Sequence, residues 1–405
     1  MLTRRDFLGS AAALPLAFAW QRPPVRVAIV TTIYKYLSHG QHIGDRFLIG
    51  YPMDGAWHQP NVRVVSLYVD QKPDGDLSET RGKEFGFRVY PTIAEALCCG
   101  GNQLACDAVL IVAEHGEYPS NDKGQKLYPR FEFFEQCVEV FKAGGRSVPV
   151  YNDKHLSYSF AKAQTMVRTA HEMGFPMLGG SSIPVTWRLP DVEIPLGAVI
   201  EDAVMVGEGG SDAMDFHALE GLQCMVERRR GGESGVKAVQ MLTGYEVWKA
   251  IDSGRISKTL LSSALSRSDT PMGLTEKDGR VQDLVGDGVL PGLVAQPAAY
   301  LIEYRDGLRA AMLMLDGAIK DFNFAARFGG GRFISTQFLL TPVPNVTYSA
   351  CLVQKIEEMF TTGHAPYPIE RTLLTSGILE SCLESKKQNS KRLETPALSV
   401  TYKVE

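Results

Sequence analysis

The sequence predicts an α/β protein: a doubly wound parallel sheet followed by an α+β domain with a largely antiparallel, open sheet. Three observations carry this. Between residues 24 and 185, continuous apolar runs alternate with helical patterns, as a parallel sheet covered on both faces requires. From residue 186 onward the rhythm changes to short β-like runs divided by Gly, Asp and Pro turns. The chain has 405 residues, 44% hydrophobic and 22% charged, enough for two domains that each bury a core.

In chain order, "VRVAIV" (25–30) reads as the first strand and "HIGDRFLIGY" (42–51) as a helix. "VRVVSLYVD" (62–70) is a second strand ending in an acid, and "SETRGKEFG" (78–86) a helix closed by Gly86. "FRVYPTIAEALC" gives a short strand and a helix, and "CDAVLIVAEHG" (106–116) a buried strand ending in charge. "YPRFEFFEQCVEVFKAGG" (128–145) is an amphipathic helix stopped by glycines, and "SVPVYNDKHL" holds the next strand. Phe160, Ala163, Val167 and Ala170 then fall on one helical face, with Gly174 as the stop. In the second half, "AVIEDAVMVG", "GVKAVQMLTG", "PAAYLIEYRDG", "LRAAMLMLDG" and "RFISTQFLLT" read as strands, and "RFGGGRF" as a hairpin turn. Helices are expected at 212–229, 244–251, 350–361 and 369–387. An open antiparallel sheet face commonly pairs between subunits, so a homo-oligomer is expected.

Residues 1–19 stand apart. "TRRDFLGSAAALPLAFA" joins Arg4-Arg5 to a short apolar stretch ending Ala17-Phe18-Ala19: a charged head, an apolar run and a small-residue cleavage site. The paired arginines mark an export signal of the twin-arginine type, which places the mature protein in the periplasm or outside the cell. About twelve apolar or small residues fall short of the roughly 20 needed to span a bilayer, so no span is expected after cleavage. The formal charge of −4 argues against nucleic acid as a partner. Arg228, Arg229 and Arg230 precede two glycines and read as a solvated helix end. Seven cysteines without a C-x-x-C pair read as buried small hydrophobes rather than a zinc site.

The order of "ETRGKEFGFRVYPTIAEAL", "DAVLIVAEHGEYP" and "VPVYNDKHLSYSFAKAQTMVRTAHEMG" resembles the Gfo/Idh/MocA family, the group of glucose–fructose oxidoreductase, inositol dehydrogenase and rhizopine catabolism. "GGSDAMDFHALEGLQCMVE" resembles that family's second-domain helix, and the last forty residues its C-terminal helix and tail. The resemblance covers essentially the whole mature chain. It implies a Rossmann domain over 24–185, a substrate and oligomerisation domain over 186–405, and an oxidoreductase acting with tightly held NAD or NADP on a sugar, glycoside or cyclitol. The family's E-K-P tripeptide is here Asp153-Lys154-His155, and its second-domain histidine is His217. Lys154 and His217 are thereby the expected catalytic residues. Lys154 also falls just past the carboxyl end of a parallel strand, where open α/β sheets place ligands, and a desolvated lysine or a histidine can take a hydroxyl proton.

The phosphate loop departs from the pattern. Dinucleotide sites carry G-x-G-x-x-G at the first strand–helix turn and an acid about 20 residues on. Here Thr31, Thr32, Ile33, Tyr34 and Lys35 follow the strand, Gly40 and Gly44 come later, and the acid, Asp70, lies beyond an insertion. Pyrophosphate is expected on the Gly40 and Gly44 amides or the Thr31 and Thr32 hydroxyls, with Asp70 on the ribose and Glu114 and Lys154 beside the cofactor. His115, His155, Arg188 and Asp212 are expected to contact substrate, with Trp187 and Tyr118 as sugar-facing aromatics. His39, His42 and His58 are expected to be solvated.

A second reading comes from the residues themselves. Ala113-Glu114-His115 replaces the family's T-P, and His115, Asp153, His155 and His217, with Glu201-Asp202 near, offer ligands for a divalent metal. The alternatives are therefore a metal-assisted lyase, hydrolase or epimerase, or a non-catalytic sugar-binding protein. Polar residues lining a sugar pocket are the simpler interpretation, so no metal is the leading expectation.

Overall fold

The computed structural model describes residues 23–405, apart from 211, 342, 344 and 345; the expected export signal lies outside the described residues. The chain opens with β1 (Val25–Thr31) and α1 (His39–Ile49), then a hairpin of β2 (Tyr51–Met53) and β3 (Ala56–His58), the insertion foreseen before Asp70. β4 (Val62–Val69), α2 (Ser78–Phe85), β5 (Arg88–Tyr90), α3 (Ile93–Leu97), β6 (Ala108–Val112), α4 (Arg130–Gly144), β7 (Val150–Asp153), α5 (Phe160–Met173) and β8 (Met177–Gly180) follow. Six of these strands form one sheet in the order β5-β4-β1-β6-β7-β8, every neighbouring pair parallel. Strand order reverses between β1 and β6, so the crevice for a ligand opens at their carboxyl ends. β6 is buried at all five positions, as a strand covered on both faces must be. Phe160, Ala163, Val167 and Ala170 all face the core, and α5 ends at Gly174 with φ +68°.

Helix α1 begins three residues before the sequence pattern suggests. Ser38 caps it, its hydroxyl accepting from the Gln41 N–H at 3.2 Å, so His39 to Gln41 form a first turn. That moves His39 and His42 from the expected solvated insertion onto the helix: His42 is buried and His39 mostly so. His58 is exposed on β3 but bonds Glu357 at 2.9 Å.

The second half contains β9 (Arg188–Leu189), β10 (Ile200–Gly207), α6 (Asp212–Val226), β11 (Val236–Thr243), α7 (Tyr245–Asp252), α8 (Lys258–Leu265), α9 (Leu274–Asp278), α10 (Leu290–Leu293) and β12 (Ala298–Tyr304). It continues through β13 (Arg309–Met314), β14 (Phe322–Phe328), β15 (Phe333–Phe338), α11 (Tyr348–Thr362), α12 (Glu370–Lys387) and β16 (Leu393–Glu394). Eight strands form a sheet in the order β16-β11-β12-β13-β10-β14-β15-β9, antiparallel except where β10 meets β13. Gly330 and Gly331, with φ +85° and +80°, turn β14 into β15 as expected.

The sheet is open at its edges, β16 and β9, but helices lie on both of its faces. α6 and α12 cover one face; on the other, Val204, Val206, Leu242, Ala311 and Leu313 pack against Val247, Ile251, Leu260 and Leu261 of α7 and α8. The short helices between residues 244 and 294 thus cover part of the face from which subunit pairing was expected. Helix α11 returns to the first sheet, where Leu352, Val353 and Ile356 join Ile43, Phe47 and Tyr51 in one core. No helix among the described residues is long and apolar enough to cross a membrane.

Candidate active site

β7 carries Asp153 to the carboxyl edge of the first sheet, and the chain then turns through Lys154 at φ +65°. Non-glycine residues enter this left-handed region only where the surroundings enforce it. The Lys154 N–H donates to the Gly180 carbonyl at 3.1 Å, which holds the turn against β8. From the second sheet α6 brings His217, whose Nε2 meets Lys154 Nζ and whose Nδ1 meets Ser181 Oγ. The two expected catalytic residues therefore touch across the domain boundary. Burial pushes the Lys154 amine below its usual range and the His217 imidazole well below its own.

Two further groups flank the pair. Asp153 Oδ2 lies 2.6 Å from His39 Nδ1, and the His39 ring stands 5.2 Å from that of His115. Burial raises the Asp153 carboxyl and lowers His39, so this dyad shares one proton more readily than it carries two charges. On the other side, fully buried Arg130 bonds Glu114 and reaches His155 Nε2 at 3.3 Å, with Asp212 a further 3.8 Å from that nitrogen. Burial pushes Asp212 up to about 6, and its Oδ2 finds no hydrogen-bond partner among the described residues. Lys154, His217, His115, His155 and Asp212 thus line one centre, together with His39, Arg130 and Ser181, which sequence reasoning missed. Only Arg130 left a trace: a charged residue on the apolar stripe of Phe133, Phe134 and Cys137.

Several expected roles are not met. The Thr31 and Thr32 hydroxyls are fully buried and donate inward, to the carbonyls of Val112 and Ile33 and of Glu114. They brace β1 against β6 and are not free for phosphate. Gly40 and Gly44 serve close packing: a Cβ on Gly40 would stand 2.5 Å from Ile33 O and Thr31 Oγ1, and one on Gly44 2.7 Å from Tyr34 Oη. Glu114 is held by Arg130. Arg188 lies two helical turns along α6, beside Cys224, where it pairs with Glu193 and lines a separate groove of about 550 Å³. Trp187 is exposed at the entry to β9. Glu201 and Asp202 lie at the opposite end of β10 and pair with Arg327. Arg229 is buried against Glu233 rather than solvated. Within the centre, Asp153 and His115 face His39, His155 faces Arg130, and His217 faces Ser181. Among the described residues no group of three or more His, Cys, Asp or Glu side chains is placed to hold a metal.

No protein-family model and no curated protein sequence matches the chain. Solved structures match its fold. GenD2 from gentamicin A biosynthesis, in complex with NAD, is 15% identical with a TM-score of 0.56 over 92% of this chain and 97% of that one. A putative myo-inositol dehydrogenase from Sinorhizobium meliloti 1021 is 12% identical, TM-score 0.54, over 91% and 99%. Myo-inositol dehydrogenase from Lactobacillus casei, in complex with NAD(H) and myo-inositol, is 10% identical, TM-score 0.53, over 92% and 96%. The fold is thus that of the Gfo/Idh/MocA-type proteins: a doubly wound sheet joined to an α+β domain.

A dinucleotide asks three things of this sheet edge: an acid for the ribose, donors for the pyrophosphate and a reactive group beside the nicotinamide. Asp70 stands at the end of β4, exposed, its carboxylate accepting from Tyr68 Oη at 2.8 Å and Tyr118 Oη at 2.6 Å. An exposed carboxylate that accepts from hydroxyls has the chemistry a ribose diol needs, so the first requirement fits. The Lys154–His217 pair fits the third. At the middle, the Gln41 amide is capped by Ser38 and the His39 amide faces His115 Nδ1 at 3.5 Å. There a phosphate would depend on the Gly40 amide and the partly exposed His39 and His115 rings, in place of a glycine cradle.

Proposed function

We propose that the protein is an oxidoreductase that interconverts a hydroxyl and a carbonyl on a sugar or cyclitol with NAD or NADP, exported by the twin-arginine route. The observation that carries this reading is the Lys154–His217 pair at the carboxyl edge of the doubly wound sheet, on a fold shared with proteins crystallised with NAD and with myo-inositol. Asp70 would hold the adenosine ribose. The bound nicotinamide would supply or take the hydride. The chain's own part is proton chemistry: Lys154, its pKa lowered by burial, takes the hydroxyl proton as the carbonyl forms, and His217 holds the amine in place. Asp212, with an unpartnered oxygen, and His155 and His115 would orient neighbouring hydroxyls. The test is to denature protein purified from its native compartment and look for nicotinamide by absorbance and mass. A near-stoichiometric release is expected; none released, and no binding of added NAD or NADP, would sink the reading.

One observation favours a second reading, proton transfer without redox turnover, as in a lyase or epimerase. The Asp153–His39 dyad offers a second acid–base group beside Lys154, in space that a pyrophosphate would otherwise approach. Turnover of a glycoside by protein free of nicotinamide would favour it.

A further inference from the structure

The contacts of His217 extend beyond Lys154. Ser181 follows β8 directly and is buried. Its N–H donates to Glu220 Oε2 at 3.0 Å, and its Oγ accepts from the Ile183 N–H at 3.0 Å. Glu220 lies three residues beyond His217 on α6 and also accepts from Thr375 Oγ1 at 3.0 Å. Glycine at position 180 permits this approach: a Cβ there would stand 2.2 Å from Glu220 Oε2, and the residue has φ +112°. Ser181 is therefore fixed from both sides, with its hydroxyl against His217 Nδ1.

The hydroxyl hydrogen needs an acceptor in this buried place, and Ile183 N–H already occupies one lone pair of the oxygen. Donation to His217 Nδ1 satisfies Ser181; acceptance from an Nδ1–H would leave its hydrogen without a partner. We propose that Ser181 is a positioning residue, which holds the His217 ring with its proton on Nε2, facing the Lys154 amine. The amine then accepts from Nε2–H, which requires a free lone pair and so an unprotonated lysine. When a substrate hydroxyl enters, that lone pair turns to it: the O–H bond breaks, an N–H bond forms, and Lys154 becomes an ammonium. The charged and titratable groups facing the amine include Glu114 and His115 after β6, Arg130 on α4, Asp153 on β7, His155 just beyond it, and Asp212 and His217 on α6. His39 on α1 faces both the amine and His217. Acids and bases are mixed among them, so the hydrogen-bond chain, not a single neighbouring charge, selects the tautomer. This inference rests on the proposed role of Lys154, although its test needs neither substrate nor cofactor.

Nitrogen-15 spectra of the histidine side chains distinguish the tautomers, with His217 among the eight histidines assigned by its loss in His217→Gln. The wild type is expected to show the proton on Nε2. Ser181→Ala, which keeps the backbone bond to Glu220, should shift the ratio toward Nδ1–H about fivefold to tenfold, the worth of one hydrogen bond. Ser181→Thr, which keeps a hydroxyl, should retain the wild-type tautomer. An Nδ1–H ring in the wild type, or an unchanged ratio in Ser181→Ala, overturns the proposal. Absence of nicotinamide would sink the redox reading and leave this result standing, so the two failures are separable.

Discussion

The two ends of α6 are both lined with buried polar side chains, yet they differ in how fully those groups are satisfied. Toward the C-terminal end, Gln223 bonds Glu233, Tyr304 and Tyr402, and Glu227, just past the helix, takes the Arg371 guanidinium and Tyr402. Arg229 there makes a two-pronged pair with Glu233 at 3.0 Å on each arm. Toward the N-terminal end, Asp212 and Asp215 each keep one carboxylate oxygen without a hydrogen-bond partner among the described residues, and His217 meets the Lys154 amine. A buried polar network with every member paired makes rigidity; one left open stores reactivity. The helix thus separates a network of paired side chains from a more open one along its length, and Arg188, beside Cys224 and itself with an unpartnered Nε among the described residues, lies apart from the Lys154–His217 pair.

The largest effects should separate the two ends cleanly. Arg371→Leu leaves Glu227 buried without its cation and is expected to cost roughly 3–5 kcal/mol, read by urea unfolding, with the His217 tautomer unchanged. Lys154→Ala should do the reverse. Turnover should fall by about 10²–10⁴ on whichever polyol the enzyme uses. Unfolding free energy should fall by only about 1–2 kcal/mol, because no buried carboxylate loses a paired cation, and Ala keeps the same left-handed backbone as Lys. A Lys154 variant that unfolds as easily as the Arg371 one would erase the distinction.

A pH series sharpens it. Burial pushes Asp215 from 3.8 up to about 6, while its Oδ2 accepts from Tyr300. Between these values the folded state binds more protons than the unfolded one, so this group's contribution to stability is present at low pH and lost as pH rises toward 6. Asp215→Asn should therefore match the wild type near pH 4 and exceed it at pH 7 by roughly 1–3 kcal/mol in unfolding free energy. The buried histidines work with the opposite sign: His39 and His217, held below their usual range, withdraw stability as pH falls through 6.5. The single substitution, compared at both pH values, isolates the carboxylate.

Much of the fold was legible because its signals are local. Buried parallel strands read as unbroken apolar runs, helix stripes recur at 3.6 residues, and Gly86, Gly145 and Gly174 end helices with positive φ as sequence position suggested. β14 was missed because "FNFAARF" mixes polar residues into a strand whose faces both meet helices, and α8 to α10 because none exceeds eight residues. The site divided along the same line. Lys154 and His217 were legible from their place after a strand and from family resemblance. Thr31 and Thr32 were misjudged because the sequence shows a hydroxyl without showing which way it points. Ser181, Arg130 and His39 reach the centre from three separate segments, a convergence that only tertiary packing reveals.

Asp70 is the case that the rule from α6 does not decide. Its oxygens are both satisfied, as at the structural end, but the partners are half-buried tyrosines and the carboxylate itself is exposed at the end of β4, where the proposed cofactor's ribose would lie. If the bonds are placeholders, removing one should favour a ligand. Tyr118→Phe deletes a hydrogen bond to a charged but exposed acceptor and should cost roughly 1–3 kcal/mol of stability. The loop that carries Tyr118 stays tied to β4 by the reciprocal bonds of Gln71 with Glu117, at 2.9 and 3.0 Å, so the loop should keep its place. Freed from that competitor, Asp70 should bind the ribose of added NAD a few-fold more tightly, measured by titration on protein stripped of its own nucleotide. Weaker binding would mean that Tyr118 belongs to the ribose site itself. Unchanged binding, together with an equally silent Asp70→Asn, would make the carboxylate a structural anchor like Glu227, and would move the adenosine end of any cofactor away from β4.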